Sequence, residues 1–254
     1  MGKNVVIIVI VFVSIYLAVG ALLFVNQRSF LYFPTPAARH NFDEITFNNE
    51  GESISTIVIN KGKEKAILYF GGNGESVAFS APDYADIFPS HTFYLVNYRG
   101  YGGSSGKPEE SGLYSDAEYI FDQIKLKHHT VSVIGRSLGS GVATFLASKK
   151  DVEKLILITP FDSIQNVAQQ NFWIYPMSIL LKDRFDSLSR VKHIRAQTHI
   201  IIAENDEVIA RKHTNNLVKG FPTSQITVDI IKNAGHNTLS EDERYALLLR
   251  EYLY

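Results

Sequence analysis

A chain of 254 residues, 45% hydrophobic and 20% charged, suits one globular domain of about 220 to 230 residues plus a terminal appendage, and is too apolar to be disordered. With 25 Lys and Arg against 26 Asp and Glu, no net field draws it to nucleic acid, which is excluded as an expected partner. The absence of cysteine removes thiolate catalysis, Cys-ligated zinc and disulfides together, and leaves the redox compartment open.

The first predicted element runs from Val5 to Val25. It carries no charge and, as a helix, would span about 30 Å, the thickness of a bilayer core. It reads as a transmembrane helix, making residues 1–26 a membrane anchor and 27–254 the domain. A cleaved signal peptide is the competing reading, with Ala18-Val19-Gly20 as its small-residue site, but the apolar run exceeds the usual ~7 to 15 residues. Lys3 on one side and Arg28 and Arg39 on the other leave the positive-inside count nearly silent. The expected orientation puts the amino terminus inside and the domain on the non-cytoplasmic side, because a short tail before an apolar anchor inserts most simply as an uncleaved signal.

Beyond Asn26, short β-branched or aromatic runs alternate with helical patterns. Strands are predicted at Ile54–Asn60, Ala66–Phe70, Phe93–Asn97, Val131–Ile134, Lys154–Thr159, His199–Ala203 and Ile226–Ile231, and helices at Ser115–Lys127, Leu138–Lys150, Arg211–Lys219 and Ser240–Tyr254. This alternation predicts an α/β fold with a mostly parallel central sheet and helices on both faces. Such sheets carry their sites at the carboxyl ends of the strands.

The strongest motif lies at that edge. The strand ending at Ile134 runs into Gly135-Arg136-Ser137-Leu138-Gly139 and then into a helix, the G-x-S-x-G nucleophile elbow. Its glycines let the backbone turn without a side chain striking strand or helix, and the turn presents the serine hydroxyl. Arg136 reads as a tolerated filler, and a Gly-rich helix entry capped by Ser137 is the bland alternative.

A serine hydroxyl is a poor nucleophile unless a base accepts its proton, and in this elbow's setting the partners follow in the order Ser, Asp or Glu, His. His236, in the loop after the last strand, is the best placed of eight histidines. His40, His91, His128, His129, His193, His199 and His213 fall upstream, within a strand, or on charged stretches where a solvated side chain is the default. The acid should follow the penultimate strand, where Ala203-Glu204-Asn205-Asp206-Glu207-Val208 supplies three carboxylates. Asp206 is the choice, with Glu204 and Glu207 as alternatives; Asp229, inside an apolar strand, would point sideways along the sheet. The oxyanion donors expected are the amide of Leu138 and one from Phe70-Gly71-Gly72-Asn73-Gly74, with Asn73 the favoured residue. No Gly-Lys-Ser/Thr follows those glycines, so a nucleotide P-loop is disfavoured, and the glycines of Arg99–Gly106 read as a shaped loop.

Several blocks resemble the membrane-anchored α/β-hydrolase-domain family that includes the bud-emergence-type proteins and protein depalmitoylases, and are similar to bacterial hydrolases grouped with serine peptidases. They are Gln27-Arg28-Ser29-Phe30-Leu31-Tyr32-Phe33-Pro34, Asn97-Tyr98-Arg99-Gly100-Tyr101-Gly102 with Ser104–Pro108, Gly135–Ser140, and Thr159-Pro160-Phe161-Asp162-Ser163. The resemblance implies an α/β-hydrolase fold, Ser137, Asp206 and His236 as a triad, and an oxyanion donor near Asn73. The chain departs from that family's usual His-Gly after the first core strand, where it has Gly71-Gly72, and from its Gly at Ala203.

Between Asp162 and Arg190 lies a helical insertion, Asn166–Pro176, that could cap the site. Its Phe172, Trp173, Tyr175, Met177 and Leu180 suit either an apolar acyl group or packing on the sheet. The expected activity is hydrolysis of carboxylic ester or thioester bonds through an acyl-Ser137 intermediate, on a small-molecule or lipid-like acyl group or an acylated protein. A serine peptidase of aminopeptidase type, an acyltransferase and a catalytically silent binding module are the alternatives. No cofactor or metal is expected, since H-E-x-x-H and other ligand spacings are missing. A histidine base accepts a proton only when neutral, so activity should decline as pH falls through roughly 6 to 7.

Overall fold

The computed structural model describes residues 2–254. Helix α1, Lys3–Leu31, leads without a break into the domain, so the boundary expected at residue 26 falls inside it. It is the one helix among the described residues long and apolar enough to cross a membrane.

The domain is built on one eight-stranded sheet. Its strands are β1 (Asp43–Asn49), β2 (Glu52–Ile59), β3 (Lys65–Phe70), β4 (His91–Val96), β5 (Thr130–Arg136), β6 (Lys154–Ile158), β7 (Gln197–Ala203) and β8 (Ile226–Ile231), in the spatial order 1-2-4-3-5-6-7-8. Only β1–β2 and β2–β4 pair antiparallel; the rest of the sheet is parallel. All seven predicted strands are present, within a few residues at their ends. Helices α3 (Glu110–Lys125), α4 (Leu138–Lys149) and α8 (Arg211–Gly220) cover one face, and α2 (Val77–Ile87) and α9 (Glu243–Leu253) the other. The central strands carry unbroken apolar stretches because each face is covered: Ile67, Leu68, Ile134, Leu155, Ile156, Leu157 and Ile200 are fully buried.

Two elements were not anticipated. Strand β1 is polar and half exposed, as an edge strand can be, so it lacks an apolar run. Helix α2 carries Pro82 in its interior, a residue that ordinarily argues against a helix. The insertion after β6 forms three short helices, α5 (Ile164–Asn171), α6 (Met177–Leu180) and α7 (Ser187–Arg190).

Three of the other histidines are buried, among them His213, whose charged helical stretch predicted a solvated side chain. His213 bridges Asp162 and Gln170 at 3.0 and 2.9 Å, tying α8 to the start of the cap. His199 meets Asp229 across β7 and β8 at 2.9 Å, and His91 is 3% exposed at the foot of β4. Burial, opposed by the Asp229 carboxylate, holds the His199 pKa below its ordinary value.

Candidate active site

Strand β5 ends at Arg136, α4 begins at Leu138, and Ser137 alone makes the turn, at φ 50° and ψ −116°. Such a backbone costs a non-glycine residue about 1 to 3 kcal/mol and persists only where its surroundings hold it. Both flanking glycines are required by contact. A Cβ on Gly135 would lie 2.4 Å from the Gly139 carbonyl oxygen, and one on Gly139 only 2.0 Å from that of Phe70. The elbow is therefore wedged between the start of α4 and the end of β3.

The loop after β8 brings His236 over this turn. Its Nε2 lies 2.9 Å from Ser137 Oγ, and its Nδ1 lies 3.0 and 2.9 Å from the two oxygens of Asp206. A carboxylate only accepts, so Nδ1 carries the proton and Nε2 is free to accept from the serine hydroxyl. The imidazole is 4% exposed. Asp206 also accepts from the backbone N–H groups of Val208 and Ile209, which fix its position in the loop after β7.

The two neighbouring carboxylates are occupied elsewhere on the same loop. Glu204 accepts from Asn233 N–H at 2.8 Å, and Glu207 from His236 N–H at 3.0 Å. The His236 N–H, together with Glu207's own, holds the Glu207 carboxyl below the usual range. Three acidic residues in one loop thus hold the histidine loop by backbone, backbone and side chain. Asp229 faces His199, on the next strand.

The loop after β3 lies opposite. Gly72 packs against the serine, since a Cβ there would be 3.8 Å from that of Ser137, but its N–H donates to Glu75 at 2.7 Å. The Asn73 side chain is also committed. Its Nδ2 donates to the Leu31 carbonyl at 2.6 Å, and its Oδ1 accepts from Phe33 N–H and Tyr101 O–H. Neither the Asn73 nor the Leu138 amide has a hydrogen-bond partner among the described residues. The loop Asn97–Gly106 holds Tyr101 beneath Asn73; at Gly102 any Cβ would collide with the Asn97 side chain, at 1.9 Å.

Arg136 is no filler. It is largely buried, pairs with Glu75 at 3.2 Å, and reaches the His236 carbonyl at 3.4 Å and Asn237 at 3.5 Å. Glu75 in turn accepts from Tyr69, Ser80 and Gly72. One ion pair therefore joins the loop after β3 to the histidine loop across the elbow. No motif specifies either residue, Arg136 filling a variable position of the elbow, and the available cue is a charged residue inside the otherwise small and apolar elbow. Among the described residues no three His, Cys, Asp or Glu side chains are grouped so as to hold a metal ion.

A mostly parallel sheet, a strained serine between β5 and α4, and an acid and a histidine from the loops after β7 and β8 define a hydrolase of the α/β class. The chain belongs to the alpha/beta hydrolase fold family, whose model matches residues 65–191. It is 27% identical over 241 residues to an uncharacterized protein of Mycobacterium tuberculosis, covering 87% of this chain and 84% of that one. It is 31% identical over 170 residues to the lysophosphatidylserine lipase of Bos taurus, covering 56% of this chain but only 42% of the lipase. A Pyrococcus furiosus esterase has the same fold, with a TM-score of 0.69 at 16% identity over 87% of this chain and 96% of its own.

Proposed function

We propose that the protein is a membrane-anchored serine hydrolase that cleaves carboxylic ester or thioester bonds of acyl substrates. The observation that carries this reading is the continuous hydrogen-bonded line from Ser137 Oγ through His236 to Asp206. In the reaction, Ser137 Oγ attacks the acyl carbonyl as its proton passes to His236 Nε2. The Asp206 carboxylate stabilises the imidazolium so formed. Charge developing on the carbonyl oxygen is received by the amides of Leu138 and Asn73. The C–O or C–S bond breaks, His236 protonates the leaving group, and the acyl chain remains on Ser137. Water then attacks the acyl carbon, gives its proton to His236, and releases the acid with Ser137 restored.

The strain at Ser137 and the wedged glycines support a nucleophile's role, because a capping serine needs neither. The apolar helix α1 supports anchorage at a membrane; the non-cytoplasmic placement of the domain rests only on a short tail before an apolar anchor inserting most simply as an uncleaved signal. The direct test is turnover of p-nitrophenyl and thioester acyl substrates by the full chain and by Ser137→Ala. A loss of about 10³-fold or more in kcat/KM is expected in the variant. Equal rates from the two proteins would refute the role given to Ser137.

A further inference from the structure

We infer that α1 and the cap together form a groove that receives the long acyl chain of a membrane lipid ester directly from the bilayer. This rests on the ester-hydrolase reading above and names its substrate class.

Helix α1 turns one face towards the cap: Tyr16, Gly20, Leu23, Gln27 and Leu31 recur at helical spacing. The contacts along that face are specific. Tyr16 stacks on Tyr175 with ring centroids 4.7 Å apart and donates to the Ile174 carbonyl, and the Tyr175 hydroxyl donates back to the Tyr16 carbonyl at 3.1 Å. Gly20 lies under the same ring, where a Cβ would come within 3.0 Å. Gln27 bonds the backbone at Leu180 and Lys182, and Arg28 pairs with Asp183 at 2.9 Å. A helix that served only as a tether would not need this fit.

The lengths then fix where the cap sits. Only Val5 to Ile15 lie beyond the cap contact, and at 1.5 Å per residue they cover about 16 Å, roughly half of a ~30 Å bilayer core. If α1 spans, its remaining apolar residues cross the other half beside the cap. The cap's outer surface agrees with that depth, since Trp173 is 79% exposed and Ile179 76%, next to the helix. Exposed Lys182 and Arg184 follow in sequence at the level of Gln27, as cations at a headgroup boundary would.

Between helix and cap run two adjoining apolar cavities that share Phe24, Tyr175 and Leu180. One reaches Tyr16 and the other Leu31, so together they follow α1 for about 22 Å. The Leu31 end adjoins the loop after β3, because the Leu31 carbonyl accepts from the Asn73 side chain, and Gly72 of that loop packs against Ser137. A chain lying in this groove would have its ester end at the loop opposite Ser137 and its methyl end in the bilayer.

The test uses the full chain in phosphatidylcholine vesicles and a long-chain alkyl fluorophosphonate with a diazirine near the end of its tail. Ser137 Oγ displaces fluoride at phosphorus, and light then fixes the tail to whatever surrounds it. Adducts on Leu17, Phe24, Tyr175 or Leu180 are expected. A probe attached to Ser137 with its tail fixed only outside the α1–cap interface overturns the groove and leaves the hydrolase reading standing. Failure to label Ser137 at all removes the hydrolase reading beneath it. As an independent arm, Ala168→Trp, on the cap wall, should lower the ratio of long-chain to short-chain ester kcat/KM by about tenfold. An unchanged ratio in a variant that still labels at Ser137 also overturns the groove.

Discussion

At Ser137 the backbone conformation, the two glycines and the imidazole form one arrangement, and its parts differ in how far the sequence announces them. The elbow and its order of partners are carried by residue type and spacing, so Ser137, His236 and Asp206 were nameable beforehand, and the structure brings them within hydrogen-bond reach. Glu75 and Arg136 were not, because an ion pair between two loops leaves no periodicity. Replacing Glu75 with Ala strands a largely buried guanidinium and releases the Gly72 amide. It should cost about 3 kcal/mol of stability and lower kcat more than it raises KM, with Glu75→Gln losing less. Denaturant titration with steady-state kinetics checks both. At Gly139 the expected cost is steric: an Ala Cβ 2.0 Å from the Phe70 carbonyl oxygen should destabilise by about 3 kcal/mol or more, measurable in urea.

At the scale of elements, buried strands were the most legible, because two covered faces leave only apolar positions between turn residues. Strand β1 is illegible in the sequence since it pairs only with β2 and keeps polar side chains, and α2 because Pro82 interrupts its pattern. The cap's aromatics were expected to meet either an acyl group or the sheet. Tyr175 has a further contact, stacking on Tyr16 of α1. No sequence pattern reports a contact between residues about 160 positions apart. Gly20→Leu should push the Tyr175 ring aside at a cost of about 1 to 3 kcal/mol and expose the Asn171–Pro176 turn to protease. Cleavage there that matches the wild type would mean that helix and cap are not held together.

For the whole molecule, the buried histidines set a lower limit on the pH of greatest stability. Burial lowers the pKa of His199 and of His91 in the folded state, and the second nitrogen of His199 has no partner that could receive a proton. Above about pH 6.5 both folded and unfolded chains hold these groups neutral. Below it the unfolded chain takes up protons that the folded one refuses, so stability falls with pH from there down. The decrease in Tm between pH 7.5 and 5.5 should be smaller in His199→Gln than in the wild type. The same compact sheet carries all three proposed catalytic side chains on loops at one edge, and the apolar helix α1 meets that edge where the Leu31 carbonyl accepts from the Asn73 side chain. The proposed reaction turns on a covalent acyl group carried by Ser137. The measurement that tests it most directly is mass spectrometry of the full chain quenched in acid during turnover of a p-nitrophenyl ester. An added mass equal to the acyl group, on the peptide holding Ser137 and missing from Ser137→Ala, is predicted. Sustained turnover with no adduct at any quench time and no burst of p-nitrophenol, or an identical adduct in the variant, would contradict it.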